Sequence, residues 1–215
     1  MYELYNNKAV KITTMVLAIT FAISGLHHGF FEILQGNKPT NNLIIQSISI
    51  EYQHWKNGEE AFSLIPNYLL TGISAILVSL LIIINSIILI NKSYYNKILL
   101  LLFVVLTMVG GGIAHVVFFI PMLVYSTRRN KELKIYKKIL PEIISIVAAK
   151  IWKYLLIIAS LCFIIAIEIS VFGIYGLKDD RKILSICWSF LFSSLVFINL
   201  TYISGIAKDI KDRIK

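Results

Sequence analysis

The sequence predicts an all-α fold, a polytopic membrane helix bundle of about five transmembrane helices with one or two interfacial amphipathic helices. Of the 215 residues, 57% are hydrophobic and 15% are charged, and the mean hydropathy is +0.76. Soluble domains carry more charge, about 25% of their residues. Several long stretches here contain no formal charge, and a helix needs about 20 apolar residues to cross a bilayer. Because these stretches do not alternate between apolar and polar residues, they are not typical of barrel strands.

The apolar stretches predict five spans within a single integral membrane domain, residues 1–215. The first stretch has no charged residue between Lys11 and Glu32, and the fourth contains one acidic residue, Glu168. The other three are free of formal charge. The predicted bounds are about 12–33, 66–90, 98–125, 153–177 and 183–206.

Two of the connecting loops have an amphipathic pattern. In the first loop, apolar and aromatic residues recur at helical spacing, which predicts an interfacial helix over residues 41–57, with a re-entrant helix as the alternative. In the third loop, bases alternate with apolar residues from Arg128 to Lys153. This pattern predicts a helix that lies on anionic lipid headgroups, so the lipid bilayer is the expected partner. The net charge of +9 therefore needs no nucleic-acid partner.

Lys and Arg concentrate in cytoplasmic loops, which gives an orientation. Five crossings would place the third loop and the C-terminus on one side and the N-terminus on the other. The side with the third loop and the C-terminus carries most of the Lys and Arg residues. The sequence therefore predicts a multi-pass protein of the cell membrane with its N-terminus outside and its C-terminus cytoplasmic. Lys8 and Lys11, followed by an apolar run and small residues, also fit a signal peptide or an anchor with a cytoplasmic N-terminus.

Polar residues inside the predicted spans form the candidate functional site, because hydrocarbon offers them no partners. His28 and Glu32 are four residues apart and share one face of the first helix. His115 in the third span and Glu168 in the fourth lie at heights that permit a polar ladder with them. Histidine can pass protons near neutral pH, so the ladder predicts a proton or cation pathway. The alternative is that each residue makes a single interhelical hydrogen bond, which is the interpretation favoured for His27.

Glycines predict where helices approach each other. Gly25 and Gly29 form a small-xxx-small pair on the first helix, which favours close packing of a second backbone. Gly110, Gly111 and Gly112 weaken the third helix, so we expect close packing, a bend or a discontinuity there.

The sequence contains no signature of nucleotide binding, of a serine hydrolase or of a zinc protease. Cys162 and Cys187 lie within predicted spans and lack the spacing of a metal site. The prediction is therefore no catalytic residue, no metal and no cofactor. His28 and His115 at similar heights leave a metal or haem site as an alternative.

Segment 25–40, GLHHGFFEILQGNKPT, together with residues 65–67 and Gly110 to Gly112, resembles a family of small polytopic prokaryotic membrane proteins that is uncharacterised. The resemblance implies no activity. The residues that follow Gly112, which include His115, depart from the family's pattern. The resemblance gives added weight to the polar residues at the end of the first span, Glu32, Gln35 and Asn37.

Three functional classes follow from these features. The first is a small transporter, channel or permease component with a polar pathway of His and Glu residues. The second is an accessory or structural subunit that forms a homo-oligomer or binds a membrane-protein partner. The third is a membrane-embedded enzyme that uses His28 and Glu32 as acid and base, and it is the least favoured because no nucleophile or metal set accompanies them.

Overall fold

A computed structural model describes residues 5–49, 59–113 and 115–213. Over these residues the chain is a helix bundle with one small two-stranded sheet, so the predicted fold class is confirmed. Four helices, α1, α2, α6 and α7, are long and apolar enough to cross a membrane. The elements are α1 Lys8–Gln35, β1 Ile44–Ile48, β2 Glu59–Phe62, α2 Tyr68–Ile88, α3 Tyr95–Met108, α4 His115–Ser126, α5 Lys134–Ile139, α6 Glu142–Phe172 and α7 Asp180–Asp212.

Helix α1 lies at the centre of the bundle and packs against α2, α4, α6 and α7. Its Phe21 ring meets Phe118 of α4 at 5.7 Å and Phe163 of α6 at 5.1 Å, and those two rings lie 5.0 Å apart. All three side chains are buried. Edge-on and tilted contacts at these distances are the favoured arrangement of aromatic rings, so this triad fixes α1 between α4 and α6.

The contact between α1 and α2 depends on glycine. A Cβ atom on Gly29 would lie 2.7 Å from the carbonyl oxygen of Gly72, and one on Gly72 would lie 2.5 Å from the carbonyl oxygen of Gly29. A Cβ on Gly25 would lie 2.4 Å from Ser79 Oγ. The two backbones therefore touch at a separation that no larger residue permits.

The third predicted span, 98–125, is not one continuous helix. It consists of α3 and α4, which run antiparallel as a helical hairpin. The ring of Phe103 stacks on that of Phe119 at 4.7 Å, and Thr107 Oγ1 lies 3.1 Å from His115 Nε2. At the open end of the hairpin, the Arg129 guanidinium lies 4.3 Å from the centre of the Tyr95 ring. The chain therefore enters the bundle on α3 and returns to the same end on α4.

Two glycines between the helices, and the lengths of the helices, explain this hairpin. Gly110 and Gly112 have φ of +90° and +87°, a backbone region that L side chains rarely adopt. They reverse the chain between the helices, so the discontinuity that was one of the expectations at these glycines is present, whereas the single span over 98–125 is not. Helix α3 has 14 residues and α4 has 12. At about 1.5 Å per residue, neither covers the roughly 30 Å of hydrocarbon.

The first and last helices meet at one end of the bundle, named here the terminal end. The backbone amides of Ala9 and Val10 each donate to the Asp209 carboxylate at 2.9 Å. Arg213 donates to the Asn7 side chain, and the backbone amide of Asn7 donates to the Arg129 carbonyl at 2.9 Å. These contacts place the start of α1 and the end of α7 at the same end of the bundle, whereas five crossings predicted the N-terminus and the C-terminus on opposite sides of the membrane.

The first loop also differs from the prediction. Residues 44–48 form β1 and residues 59–62 form β2, and the two strands pair antiparallel with Ile45 opposite Ala61. The predicted interfacial helix over 41–57 is therefore wrong where the chain is described, and residues 50–58 lie outside the described residues. The sheet packs at the end of the bundle opposite the terminal end, named here the strand end.

The third loop contains α5 and the first turns of α6 at the terminal end. Ile135 and Ile139 of α5 are 67% and 69% exposed, and Ile143 of α6 is 78% exposed. Helix α6 begins at Glu142, earlier than the predicted span of 153–177, and ends at Phe172. An apolar, exposed surface beside lysines is the arrangement expected of an interfacial helix.

Candidate functional site

A chain of polar side chains joins α1 to the sheet at the strand end. Ser47 Oγ donates to Glu32 Oε1 at 2.6 Å, and His28 Nδ1 lies 2.8 Å from the same hydroxyl. On the other side of the imidazole, His28 Nε2 lies 3.4 Å from Glu59 Oε2. Glu32 and Ser47 are fully buried, His28 is buried, and Glu59 is partly exposed. The order Glu32, Ser47, His28, Glu59 therefore leads from the interior toward the surface, and we name it the relay.

Local structure positions each member of the relay. His28 and Glu32 are one helical turn apart on the buried face of α1. Ser47 points inward from β1, and Gln35 Nε2 holds that strand by donating to the carbonyl oxygens of Gln46 and Ser47, each at 2.9 Å. The amide of Gln35 thus fixes the height of the Ser47 hydroxyl against the helix.

The tip of the α3–α4 hairpin covers the relay. A Cβ on Gly110 would lie 2.4 Å from Glu32 Oε1, and a Cβ on Gly112 would lie 2.6 Å from His28 Nε2. The Gly110 amide donates to the Phe62 carbonyl at 3.0 Å, and the Leu64 amide donates to the Met108 carbonyl at 2.9 Å. The tip is therefore bound to β2 and lies directly on the carboxylate and the imidazole.

The hydrogen atoms of the relay can be assigned from its geometry. When Glu32 is ionised, the only hydroxyl hydrogen of Ser47 goes to Glu32, and His28 Nδ1 then carries the hydrogen between the ring and Ser47. The contact between His28 Nε2 and Glu59 Oε2 needs a hydrogen on one of these two atoms. Burial opposes ionisation of Glu59, but the hydrogen bond and charge of His28 outweigh it and lower the pKa of the carboxyl group.

Glu168, the fourth member of the predicted ladder, lies on a separate branch. Its Oε1 atom is 3.0 Å from His27 Nε2, and its side chain is 44% exposed. His27 Nδ1 lies 3.1 Å from the carbonyl oxygen of Ile23. The structure therefore joins Glu32 with His28 through Ser47 and joins Glu168 with His27, the histidine for which a purely structural role was favoured.

His115 lies inside the α3–α4 hairpin and is fully buried. Besides its contact with Thr107, its ring packs against Phe103 at 5.9 Å and Phe119 at 5.8 Å. Among the described residues, no hydrogen bond links it to His28, Glu32 or Glu168. It starts α4 immediately after the glycine tip, so its contacts hold the two halves of the hairpin together.

Buried polar groups on α2 continue from the relay toward the terminal end. Thr71, near Glu32, shares a hydrogen bond of 3.0 Å with Ser63. Ser79 and Ser86 follow on the same helix and are fully buried, with Asn85 beside them. In the described part of the chain, Ser79 Oγ and the Asn85 amide have no hydrogen-bond partner, and neither has Glu32 Oε2. Such groups are rare in a packed interior, so this face of α2 is a candidate route for water or protons.

Ser47, Glu59 and His27 belong to the site but were not predicted from the sequence. Ser47 lies in the segment 41–57 that was interpreted as an interfacial helix, and Glu59 lies just beyond it. His27 was set aside because it is off the His28 face. A strand interpretation of residues 44–48 would have placed Ser47 on one face and Gln46 on the other. Where the chain is described, no three His, Cys, Asp or Glu residues are grouped as a metal site requires.

The fold and the site define a helical protein with four candidate membrane spans, a short helical hairpin and a buried relay of carboxylate, hydroxyl and imidazole groups. Comparison of the chain with protein-family models, curated proteins and solved structures gives no match.

Proposed function

We propose that this multi-pass membrane protein carries protons across the bilayer, alone or coupled to a small solute, and that Glu32 is the central proton-binding group. The observation that carries the proposal is the continuous relay from partly exposed Glu59 to fully buried Glu32. A carboxylate without full compensation is costly in a low-dielectric interior, and intramembrane acids of this kind are typical of proton pathways.

The relay can pass one proton without moving a heavy atom far. His28 Nδ1 gives its hydrogen to Ser47 Oγ, and Ser47 gives its own hydrogen to Glu32 Oε1. Glu32 is then neutral and donates to Ser47, while neutral His28 keeps the hydrogen on Nε2 and its free nitrogen, Nδ1, faces Ser47. Uptake of a second proton from the Glu59 side requires the imidazole ring to turn so that the free nitrogen faces Glu59. Each bond broken is matched by a bond formed, and the hydrogen-bond distances of 2.6 and 2.8 Å permit both transfers.

The α3–α4 hairpin supports the same proposal. Helices that end inside a membrane expose backbone groups there, and transporters place their binding sites at such discontinuities. Here the discontinuity lies on Glu32 and His28, because Gly110 and Gly112 touch both side chains. Beyond it, the polar face of α2 leads toward the terminal end.

We also propose that the terminal end is cytoplasmic. Of the Lys and Arg residues that the structure describes, all but four lie at that end, and the exceptions are Lys38, Lys178, Arg181 and Lys182. This asymmetry is stronger than the one given by five crossings, and the bias of Lys and Arg toward the cytoplasm favours it. Both termini would then be cytoplasmic.

Proton flux through purified protein in liposomes tests the function. A pH-sensitive dye inside the liposomes reports acidification when a potassium diffusion potential is imposed. We expect flux with the wild type, flux at the level of empty liposomes with Glu32→Gln, and wild-type flux with Glu60→Gln, whose carboxylate is exposed on the neighbouring position of β2.

Ser47→Ala provides a second test that removes no charge, because it interrupts the relay between His28 and Glu32. Size-exclusion profiles and circular dichroism establish that each variant is folded. Wild-type flux no greater than that of empty liposomes, or unchanged flux in both Glu32→Gln and Ser47→Ala, would overturn the proposal and favour an accessory subunit.

A further inference from the structure

Helices α6 and α7 form a groove of about 450 Å³ near the terminal end. Four lysines line it, two on each helix: Lys150, Lys153, Lys208 and Lys211. The lysines on each helix are three residues apart, which places both on the same helical face. The volume is within the range of small-molecule sites, about 300–1,000 Å³.

The positive charge of this groove is only partly compensated within the chain. Asp212 is the one carboxylate among the lining residues, and it accepts a hydrogen bond from Lys208 at 2.7 Å. Among the described residues, no carboxylate lies within ion-pair distance of Lys150, Lys153 or Lys211. Like charges brought together at helical spacing destabilise a protein, so the groove favours an anion.

The wall of the groove that faces away from the bundle is apolar. Tyr154 is 68% exposed and Ile157 is 55% exposed, and both line the groove toward the middle of α6. An anion that fits lysines at one end and an apolar wall at the other has a charged headgroup and hydrocarbon chains. Polybasic clusters next to membrane spans bind such lipids.

We infer that the α6–α7 groove binds one anionic phospholipid, with its phosphate among Lys150, Lys153, Lys208 and Lys211 and an acyl chain along Tyr154 and Ile157. The adjoining surface of α5 and the first turn of α6, with exposed Ile139 and Ile143, lies in the same headgroup layer. The site is independent of the relay, which lies at the other end of the bundle.

Native mass spectrometry tests this inference on the full chain in detergent. The wild type is incubated with equimolar phosphatidylglycerol and phosphatidylcholine, and the retained lipid is counted. We expect one phosphatidylglycerol per chain. The variant Lys150→Gln/Lys211→Gln should bind it about 25-fold more weakly. Each lysine near a membrane surface strengthens binding of an anionic lipid roughly fivefold, and the variant loses two. The matched control Lys178→Gln/Lys182→Gln loses the same charge at the strand end and should bind as the wild type does.

The source of the anion is decided by competition. Inorganic phosphate at the same concentration should not displace phosphatidylglycerol, because the acyl chain contributes to binding. Displacement by phosphate would show a free-anion site and overturn the lipid assignment. Equal retention of the two lipids, or equal binding by the groove variant and its control, would overturn it as well.

Discussion

Two glycines with similar backbone angles differ in what surrounds them. Gly110 and Gly36 have φ of +90° and +81°. A Cβ on Gly110 would lie 2.4 Å from both Glu32 Oε1 and Thr71 Cγ2, whereas no atom lies within 4 Å of a Cβ on Gly36. A substitution at Gly36 therefore measures the cost of backbone strain alone. The same substitution at Gly110 measures that cost together with the cost of steric overlap with the relay.

We expect Gly36→Ala to lower the free energy of unfolding by about 1–3 kcal/mol, the cost of a non-glycine residue in an unfavourable backbone region. Gly110→Ala should lose about 1–3 kcal/mol more, because its methyl group overlaps the Glu32 carboxylate. Thermal unfolding in detergent, followed by circular dichroism, measures both. Equal losses in the two variants would mean that the tip does not press on Glu32.

At the scale of elements, the α3–α4 hairpin sets the number of crossings. If residues 98–125 formed a single span, the segments before α3 and after α4 would lie on opposite sides of the membrane. With the hairpin, both segments would lie on the same side. Ser93 and Thr127 are exposed at these two positions, and Asn41 is exposed at the strand end.

We therefore expect Ser93→Cys and Thr127→Cys to react with a membrane-impermeant maleimide from the same side of oriented vesicles. Asn41→Cys should react from the other side. The background carries Cys162→Ala and Cys187→Ala, so that each variant has one thiol. Reaction of Ser93→Cys and Thr127→Cys from opposite sides would contradict the hairpin.

The elements that sequence predicted well are those with long apolar runs, because α1, α2, α6 and α7 are decided by composition alone. The hairpin was missed because its two helices and their glycine tip read as one uninterrupted apolar stretch, in which three glycines predict a bend as readily as a reversal. The strands were missed because Ile44 and Ile48 fit helical spacing too.

In the candidate site, too, the sequence predicted the residues that share one element and missed those that come from distant segments. His28 and Glu32 were predictable because one helix carries both at a spacing of four residues. Their partners come from β1 and β2, and contact between distant segments leaves no trace in local spacing. Glu168 was predicted as polar and intramembrane, but the choice between His27 and His28 as its partner depends on how α1 and α6 are rotated against each other.

At the scale of the whole molecule, Asp209 of α7 closes the start of α1. The first amides of a helix have no partner within that helix, and here a carboxylate from the other end of the chain accepts two of them. Such a group also interacts favourably with the positive end of the helix dipole.

Asp209→Ala should lower the free energy of unfolding by about 2–3 kcal/mol, because two buried charge-assisted hydrogen bonds are lost. Asp212→Ala, three residues on, removes only the exposed ion pair with Lys208 and should cost less than about 1 kcal/mol. Thermal unfolding of both variants in the same detergent gives the comparison. A larger loss in Asp212→Ala would show that the carboxylate of Asp209 does not cap α1.

The cap has a consequence for biosynthesis. Ala9 and Asp209 are 200 positions apart, so the ribosome synthesises α1 long before its cap exists. During that time the amides at the start of α1 can form hydrogen bonds only with water or lipid headgroups. The Phe21 ring also lacks its contacts with Phe118 and Phe163 until those residues have been synthesised. A nascent chain released before α7 would carry its central helix without a cap, so quality-control proteases have a structural basis for distinguishing truncated chains from complete ones.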